Sequence, residues 1–213
     1  MTISVWGWFT MRKVALYGSA CNPPHLAHHA ILRDLNHSGE FDEVWFMPCY
    51  QHMFGKNMID PEHRLAMAKL TATAEEVLVC DHEIKKQQPV PTYTTLQELE
   101  SNNENYNFSI VIGADNAVNF DHWYNWELLA LNYHIVIYER DGNRLLDAAS
   151  SILQTMKSVS YRYLDYIDPE LIKLSSTRIR EWIANNEPSV ESYVHPTILQ
   201  YIREHNLYSK EDE

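Results

Sequence analysis

The sequence predicts an α/β fold, a parallel sheet with helices on both faces, and three observations carry that expectation. Short apolar runs rich in β-branched and aromatic residues alternate with longer stretches of helical spacing. A chain of 213 residues with 45% hydrophobic content can bury one full core. No internal repeat, low-complexity tract or change of composition interrupts the alternation. Taken in order, strands are expected at 14–17, 44–47, 77–80, 108–112, 135–138 and 163–167, with helices between them at 25–37, 61–73, 95–101 and 123–130. Gly39 falls where the first of these helices needs a C-terminal cap. Towards the end, Ser175, Ser176 and Thr177 offer N-cap hydroxyls ahead of Ile179, Trp182 and Ile183, whose spacing makes one apolar helix face. Pro196 opens a last helix bearing Ile198, Leu199 and Ile202. The order describes a Rossmann-like, doubly wound sheet completed by a C-terminal helical segment, with 12–213 as one domain. Residues 1–11 are expected to be a disordered N-terminal extension or an upstream start, and carry no assigned function.

Composition narrows the function. Seventeen basic against 29 acidic residues give a net charge of −12, which argues against a nucleic-acid surface, because such surfaces need clustered Lys and Arg. No apolar run approaches the roughly 18–20 residues that span a bilayer, and the N-terminus lacks the basic start and cleavage site of a secretory signal. The expectation is a soluble, cytoplasmic protein with no membrane partner. Cys21, Cys49 and Cys80 are an odd number without a CxxC pair, as suits reduced thiols. Histidines cluster only at His25, His28 and His29, which fits no metal centre built by the protein, so no metal ligand is assigned. Homo-oligomerisation is left open.

In so acidic a chain, a polyanionic ligand needs a local positive pocket, and two segments offer one. The first strand runs into Gly18-Ser19-Ala20-Cys21-Asn22-Pro23-Pro24-His25-Leu26-Ala27-His28 and then a helix. A turn of small residues between a strand end and a helix N-terminus is where open parallel sheets bind phosphate, since free N–H groups and the helix dipole both favour an anion there. His25 and His28, three apart at the helix start, can lean toward one anion, whereas His29 points elsewhere and reads as structural. The second segment is Leu174-Ser175-Ser176-Thr177-Arg178-Ile179-Arg180, with Arg180 one turn from Ser176 and Thr177 on the same face. Two such sites in one chain suggest a triphosphate held at several points.

The ordered segments GSACNPPHLAHH, DEVWFMPCYQHMFGK, PEHRLAM, PTYTTLQEL, IVIGADN, HWYNWELL, LSSTRIREWI and VHPTILQYIREHNLY resemble the nicotinate-nucleotide adenylyltransferase family, of the HxGH and SxTxxR nucleotidyltransferase superfamily. The resemblance runs from about Lys13 to Tyr208. It implies adenylyl transfer from ATP to nicotinate or nicotinamide mononucleotide, with the nicotinate form favoured by the segments around Thr94 and Trp123, and with Mg2+ carried in by the nucleotide. It implies catalytic roles for His25, His28 and Arg180. It also implies ATP contacts at Gly18, Ser19, His25, His28, Gly113, Asp115, Ser176, Thr177 and Arg180, and mononucleotide contacts at Asn22, Lys56, Thr94, Trp123 and Tyr124. Trp126 reads as core. The chain departs from the family in having one glycine fewer before Ser19, Cys21 where an apolar ring is common, and Ala27 where the family has glycine between the histidines; none removes a charge or a proton donor. The competing readings are another acceptor within the superfamily, against which PTYTTL and HWYNWELL count, and a non-catalytic nucleotide sensor, against which the presence of His28, Thr177 and Arg180 counts.

Overall fold

Six strands form one sheet in the order β3-β2-β1-β4-β5-β6, every neighbouring pair parallel. The computed structural model describes residues 11–51, 55, 57–139, 150–163, 171 and 174–209. In chain order the elements are β1 (Arg12–Ser19), α1 (Leu26–His37), β2 (Glu43–Pro48), α2 (Pro61–Ala74), β3 (Leu78–Val79), α3 (His82–Lys86), α4 (Thr92–Asn102), β4 (Tyr106–Gly113), α5 (Ala114–Ala117), α6 (Trp126–Asn132), β5 (His134–Glu139), α7 (Ser150–Leu153), β6 (Ser158–Tyr163), α8 (Ser176–Ala184) and α9 (Pro196–Glu204). Single turns of 3-10 helix lie at Phe120–His122 and Pro188–Ser192. The expected N-terminal extension lies outside the described residues except for Met11.

The side chains of the strands sort by parity into two cores, as the period of two requires. Ala15, Tyr17, Val44, Phe46, Val111, Val136 and Tyr138 face α1, α2, α8 and α9. Val14, Leu16, Met47, Ile110, Ile112, Ile135 and Ile137 face α4, α5, α6 and α7. Local chemistry sets the helix ends. Asp60 accepts the Glu62 N–H at 2.8 Å ahead of Pro61, Ser175 accepts the Arg178 N–H at 3.2 Å, and Gly39 takes φ +68° just past α1, a left-handed conformation that costs glycine nothing.

Three expectations are corrected. The last strand runs over Ser158–Tyr163, not 163–167; its SVSYRY sequence is half-polar because an edge strand is only partly covered, and Arg162 pins it to α1 through Asp34 (2.8 Å) and to Glu40 (2.6 Å). Residues 164–167 lie outside the described residues. The fourth helix begins at Thr92 instead of Thr95, with Pro91 as its N-cap. The helix expected at 123–130 starts at Trp126, because Asn125 at φ +53° breaks the chain direction and leaves Trp123 extended (φ −78°, ψ 143°). Trp126 packs against the second core, in keeping with its expected role. α3 carries too few residues for a periodic signal.

Between β1 and β4 the strand order reverses, so the chain leaving β1 crosses toward β2 and the chain leaving β4 crosses toward β5. A crevice at the carboxyl ends of these strands follows from that divergence.

Candidate active site

The crevice is a cavity of about 560 Å³. β1 supplies Gly18 and Ser19 to its wall, β2 Met47, and β4 the run Ile110 to Ile112; the loops and helix ends beyond the sheet supply Glu83, Pro91, Thr92, Trp123 and Tyr124, among others. Trp123 and Tyr124, both expected at the mononucleotide, line this cavity. Trp123 reaches the wall because it is extended between two helical turns. Thr94 does not line the cavity; Thr92 does, at the N-terminus of α4, since the helix starts three residues earlier than expected. Lys56 lies outside the described residues.

The loop after β1 is built tightly. Cys21 is fully buried in a left-handed conformation (φ +53°), so the smaller side chain at this position packs the loop. Asn22, expected to meet the mononucleotide, is 3% exposed with its amide engaged internally: Oδ1 accepts from the Tyr208 hydroxyl at 3.1 Å and the Ile59 N–H at 3.4 Å, and Nδ2 donates to the Asn57 carbonyl at 3.4 Å. Its side chain fastens the loop to the C-terminal segment. His25 is the N-cap of α1, and the His28 Nδ1 accepts the His25 N–H at 3.2 Å. In the neutral ring the proton therefore sits on Nε2. The two rings lie 4.1 Å apart and are 1% and 6% exposed; neither is part of the cavity lining. Ala27, fully buried, packs in the first core. His29 is structural, bonded to Glu75 at 2.8 Å and stacked on His195.

The second anion segment folds onto this loop. Ser176 Oγ donates to the Pro23 carbonyl at 2.9 Å, and Arg180 donates to the Asn22 carbonyl at 2.9 Å and to Thr177 Oγ1 at 3.2 Å. The Ser176 hydroxyl proton is thus spent on the fold, while Thr177 stands exposed at the helix start. Arg178 stacks over Trp182 at 4.7 Å. Beyond β4, Asp115 is exposed. A Cβ at Gly113 would stand 2.4 Å from Asp115 Oδ1, so the glycine is what lets that carboxylate fold back against the strand end.

Two residues escaped the sequence. Arg64 is 1% exposed and its fork donates to four carbonyls, Ile59 (3.0 Å), Ala20 (3.1 Å), Cys49 and Tyr50. It gathers the loops after β1 and β2 and the approach to α2 around one buried cation. An arginine on a predicted helix reads as surface, and only the apolar stretch around it hinted otherwise. Glu83, 4% exposed, accepts from the Tyr50 N–H and from Thr95 Oγ1, both at 3.3 Å. Burial, outweighing these bonds and the attraction of Arg64, raises its carboxyl to about 7. Burial likewise pushes the thiols of Cys49 and Cys80 up to about 11 and that of Cys21 higher still, so none is a thiolate near neutral pH.

The cytidylyltransferase-like family matches residues 16–182. A probable nicotinate-nucleotide adenylyltransferase of Anaeromyxobacter sp. (strain K) is 30% identical over 201 residues, covering 92% of this chain and 97% of that protein. The chain belongs to the nicotinate-nucleotide adenylyltransferase family. A second family member, from Flavobacterium johnsoniae, is 27% identical and aligns over 93% of this chain and all of its own length. The fold agrees. The nicotinic acid mononucleotide adenylyltransferase of Plasmodium falciparum, solved with NaAD, superposes with a TM-score of 0.80 at 21% identity, covering 92% of this chain and 97% of that one. The cavity at the β1–β4 switch point, the loop after β1 and the start of α8 that bonds it fall on the carboxyl edge of a single sheet.

Proposed function

We propose that the chain transfers the AMP part of ATP to nicotinate mononucleotide, forming the dinucleotide and pyrophosphate in NAD biosynthesis. One observation carries the reading: Ser176 and Arg180 bond the carbonyls of Pro23 and Asn22, which brings the α8 N-terminus and its arginine against the loop that leads into His25 and His28. Two donor-rich helix starts next to one strand end suit the adjacent phosphates of one nucleotide. The neighbouring cavity, with an aromatic face at Trp123 and the N-terminus of α4 at Thr92, suits a pyridine ring bearing a carboxylate, because the positive end of a helix dipole favours an anion.

In this reading an oxygen of the acceptor's 5′-phosphate attacks the α-phosphorus of ATP, and the bond from that phosphorus to the bridging oxygen of pyrophosphate breaks. The nucleophile is already ionised near neutral pH, so no strong base is required, and the work is alignment and charge stabilisation. His28 donates from Nε2 to the α-phosphate as charge grows there, with His25 beside it. Thr177 and Arg180 hold the β- and γ-phosphates, and Asp115 accepts from the ribose hydroxyls. Among the described residues no three His, Cys, Asp or Glu side chains converge as a metal cage. Mg2+ enters this reading as part of the ATP complex, where it offsets charge on the outer phosphates. Among the described residues no helix is long and apolar enough to cross a membrane, and free thiols at Cys21, Cys49 and Cys80 fit a reducing cytoplasm as the place of reaction. The test is pyrophosphate release with Mg-ATP and each mononucleotide in parallel. Turnover with the nicotinate form supports the reading, and no release with either acceptor overturns it.

A further inference from the structure

The cavity presents two opposed electrostatic features to an acceptor. The N-terminus of α4, with Pro91 and Thr92 in the wall, favours an anion. Glu83, from α3, stands in the same wall and is itself an anion when ionised. It is not loose: Tyr50 and Thr95 hold one oxygen each, and Arg64, whose fork holds the Tyr50 carbonyl, fixes the loop on which Tyr50 sits. The carboxyl therefore cannot swing away from an occupant.

We infer that Glu83 sets acceptor selectivity: neutral, it admits a pyridine that bears a carboxylate, and ionised, it disfavours that acceptor relative to the amide. The inference rests on the pyridine-mononucleotide reading of the cavity. Burial brings the carboxyl's ionisation to about pH 7, within the range where an enzyme works. The charged and titratable groups facing it are Arg64 from α2, Cys49 beyond β2 and Cys80 beyond β3. On its own helix, Lys85 is turned to Asp81 at 2.9 Å and His82 to Glu98 at 2.6 Å. His122 also lines the cavity.

The sign follows from charge. The pyridine carboxylate is ionised throughout, so the wall it faces at Glu83 turns from neutral to repulsive as pH rises through about 7. The amide, being neutral, meets no such change. A unit-charge repulsion across roughly 10 Å at an effective dielectric of about 20 corresponds to a change on the order of tenfold.

The experiment measures kcat/KM for nicotinate and nicotinamide mononucleotides between about pH 5.5 and 8.5, using an inhibition constant for the amide if it turns over slowly. The acceptor phosphate titrates near pH 6, but identically in both, so it cancels in the ratio. The wild-type ratio of acid to amide should fall on the order of tenfold with rising pH. In Glu83→Gln, which keeps an acceptor for the Tyr50 N–H, the ratio should become flat and exceed the wild-type value at pH 8.5. Parallel wild-type profiles for the two acceptors overturn the inference without any variant and leave the adenylyltransferase reading intact. A slope retained in Glu83→Gln also overturns it. Absence of turnover with both acceptors defeats the function itself, and the inference with it.

Discussion

Replacing Arg64 with leucine should destabilise the protein and disable it together, because one guanidinium holds the loops that frame the site. The side chain is 1% exposed and donates to the Ile59, Ala20, Cys49 and Tyr50 carbonyls. A hydrogen bond from a charged donor contributes about 1.5–3 kcal/mol net, so four would sum to roughly 6–12 kcal/mol. Leucine removes the cost of burying a charge, itself several kcal/mol, which leaves a net loss of about 3–5 kcal/mol. For a chain of this size that lowers Tm by roughly 10 °C, and it is about a fifth or more of a typical total stability of about 5–15 kcal/mol. Arg64→Lys keeps the charge but not the planar fork, and should fall between the two. Thermal melts or urea titrations give the stability, and kcat/KM for both substrates at a temperature where each variant is folded gives the site effect, which should be a loss for ATP and acceptor alike. If Arg64→Leu melts within about 2 °C of the wild type with unchanged kcat/KM, Arg64 neither holds the loops nor shapes the site.

Three further outcomes are expected. His28→Ala should lose about 1 kcal/mol of stability, because Nδ1 accepts the His25 N–H, while kcat falls on the order of 10²- to 10³-fold with little change in ATP affinity; a melt shift with near-normal kcat would make His28 a cap alone. Gly113→Ala should leave stability nearly unchanged, since φ −77° and ψ 157° suit alanine, yet its Cβ would meet Asp115 Oδ1 and displace that carboxylate, raising the KM for ATP several-fold; an unaltered KM removes Asp115 from the nucleotide site. Burial lowers the His29 pKa below its ordinary 6.5 against the pull of Glu75. The unfolded chain therefore binds more protons, and stability, full above pH 6.5, should decline as pH falls from there toward the folded value. Urea midpoints for wild type and His29→Gln between pH 5 and 7.5 measure this, and a wild-type slope equal to that of the variant would refute it.

How much was legible in the sequence depends on whether a residue's role is local. The strands at 14–17 and 108–112 showed themselves through β-branched and aromatic runs, and the helix-end signals at Ser175, Pro196 and Gly39 act within a few residues of themselves, so they survive in one dimension. The strand end before Gly18 and the helix start at Ser176 were readable for the same reason, as each is complete in itself. By contrast, Asn22 and Arg64 look like a loop polar residue and a helix-surface cation until partners 35 and 44 positions away close on them. The start of α4 was placed three residues late, because Pro91 gives no cap signal ahead of Thr92, and it is Thr92 that meets the cavity. By itself, then, the sequence determined the parallel α/β order and the helix starts at both ends of the chain, all set by short-range periodicity and turn chemistry. The tertiary structure alone decided that α8 closes on the β1 loop, that Asn22 is a fastener, and that Glu83 stands in the wall of the cavity. Burial and long-range hydrogen bonding exist only once distant segments meet, and they set both the direction a side chain faces and the pH at which it holds its charge.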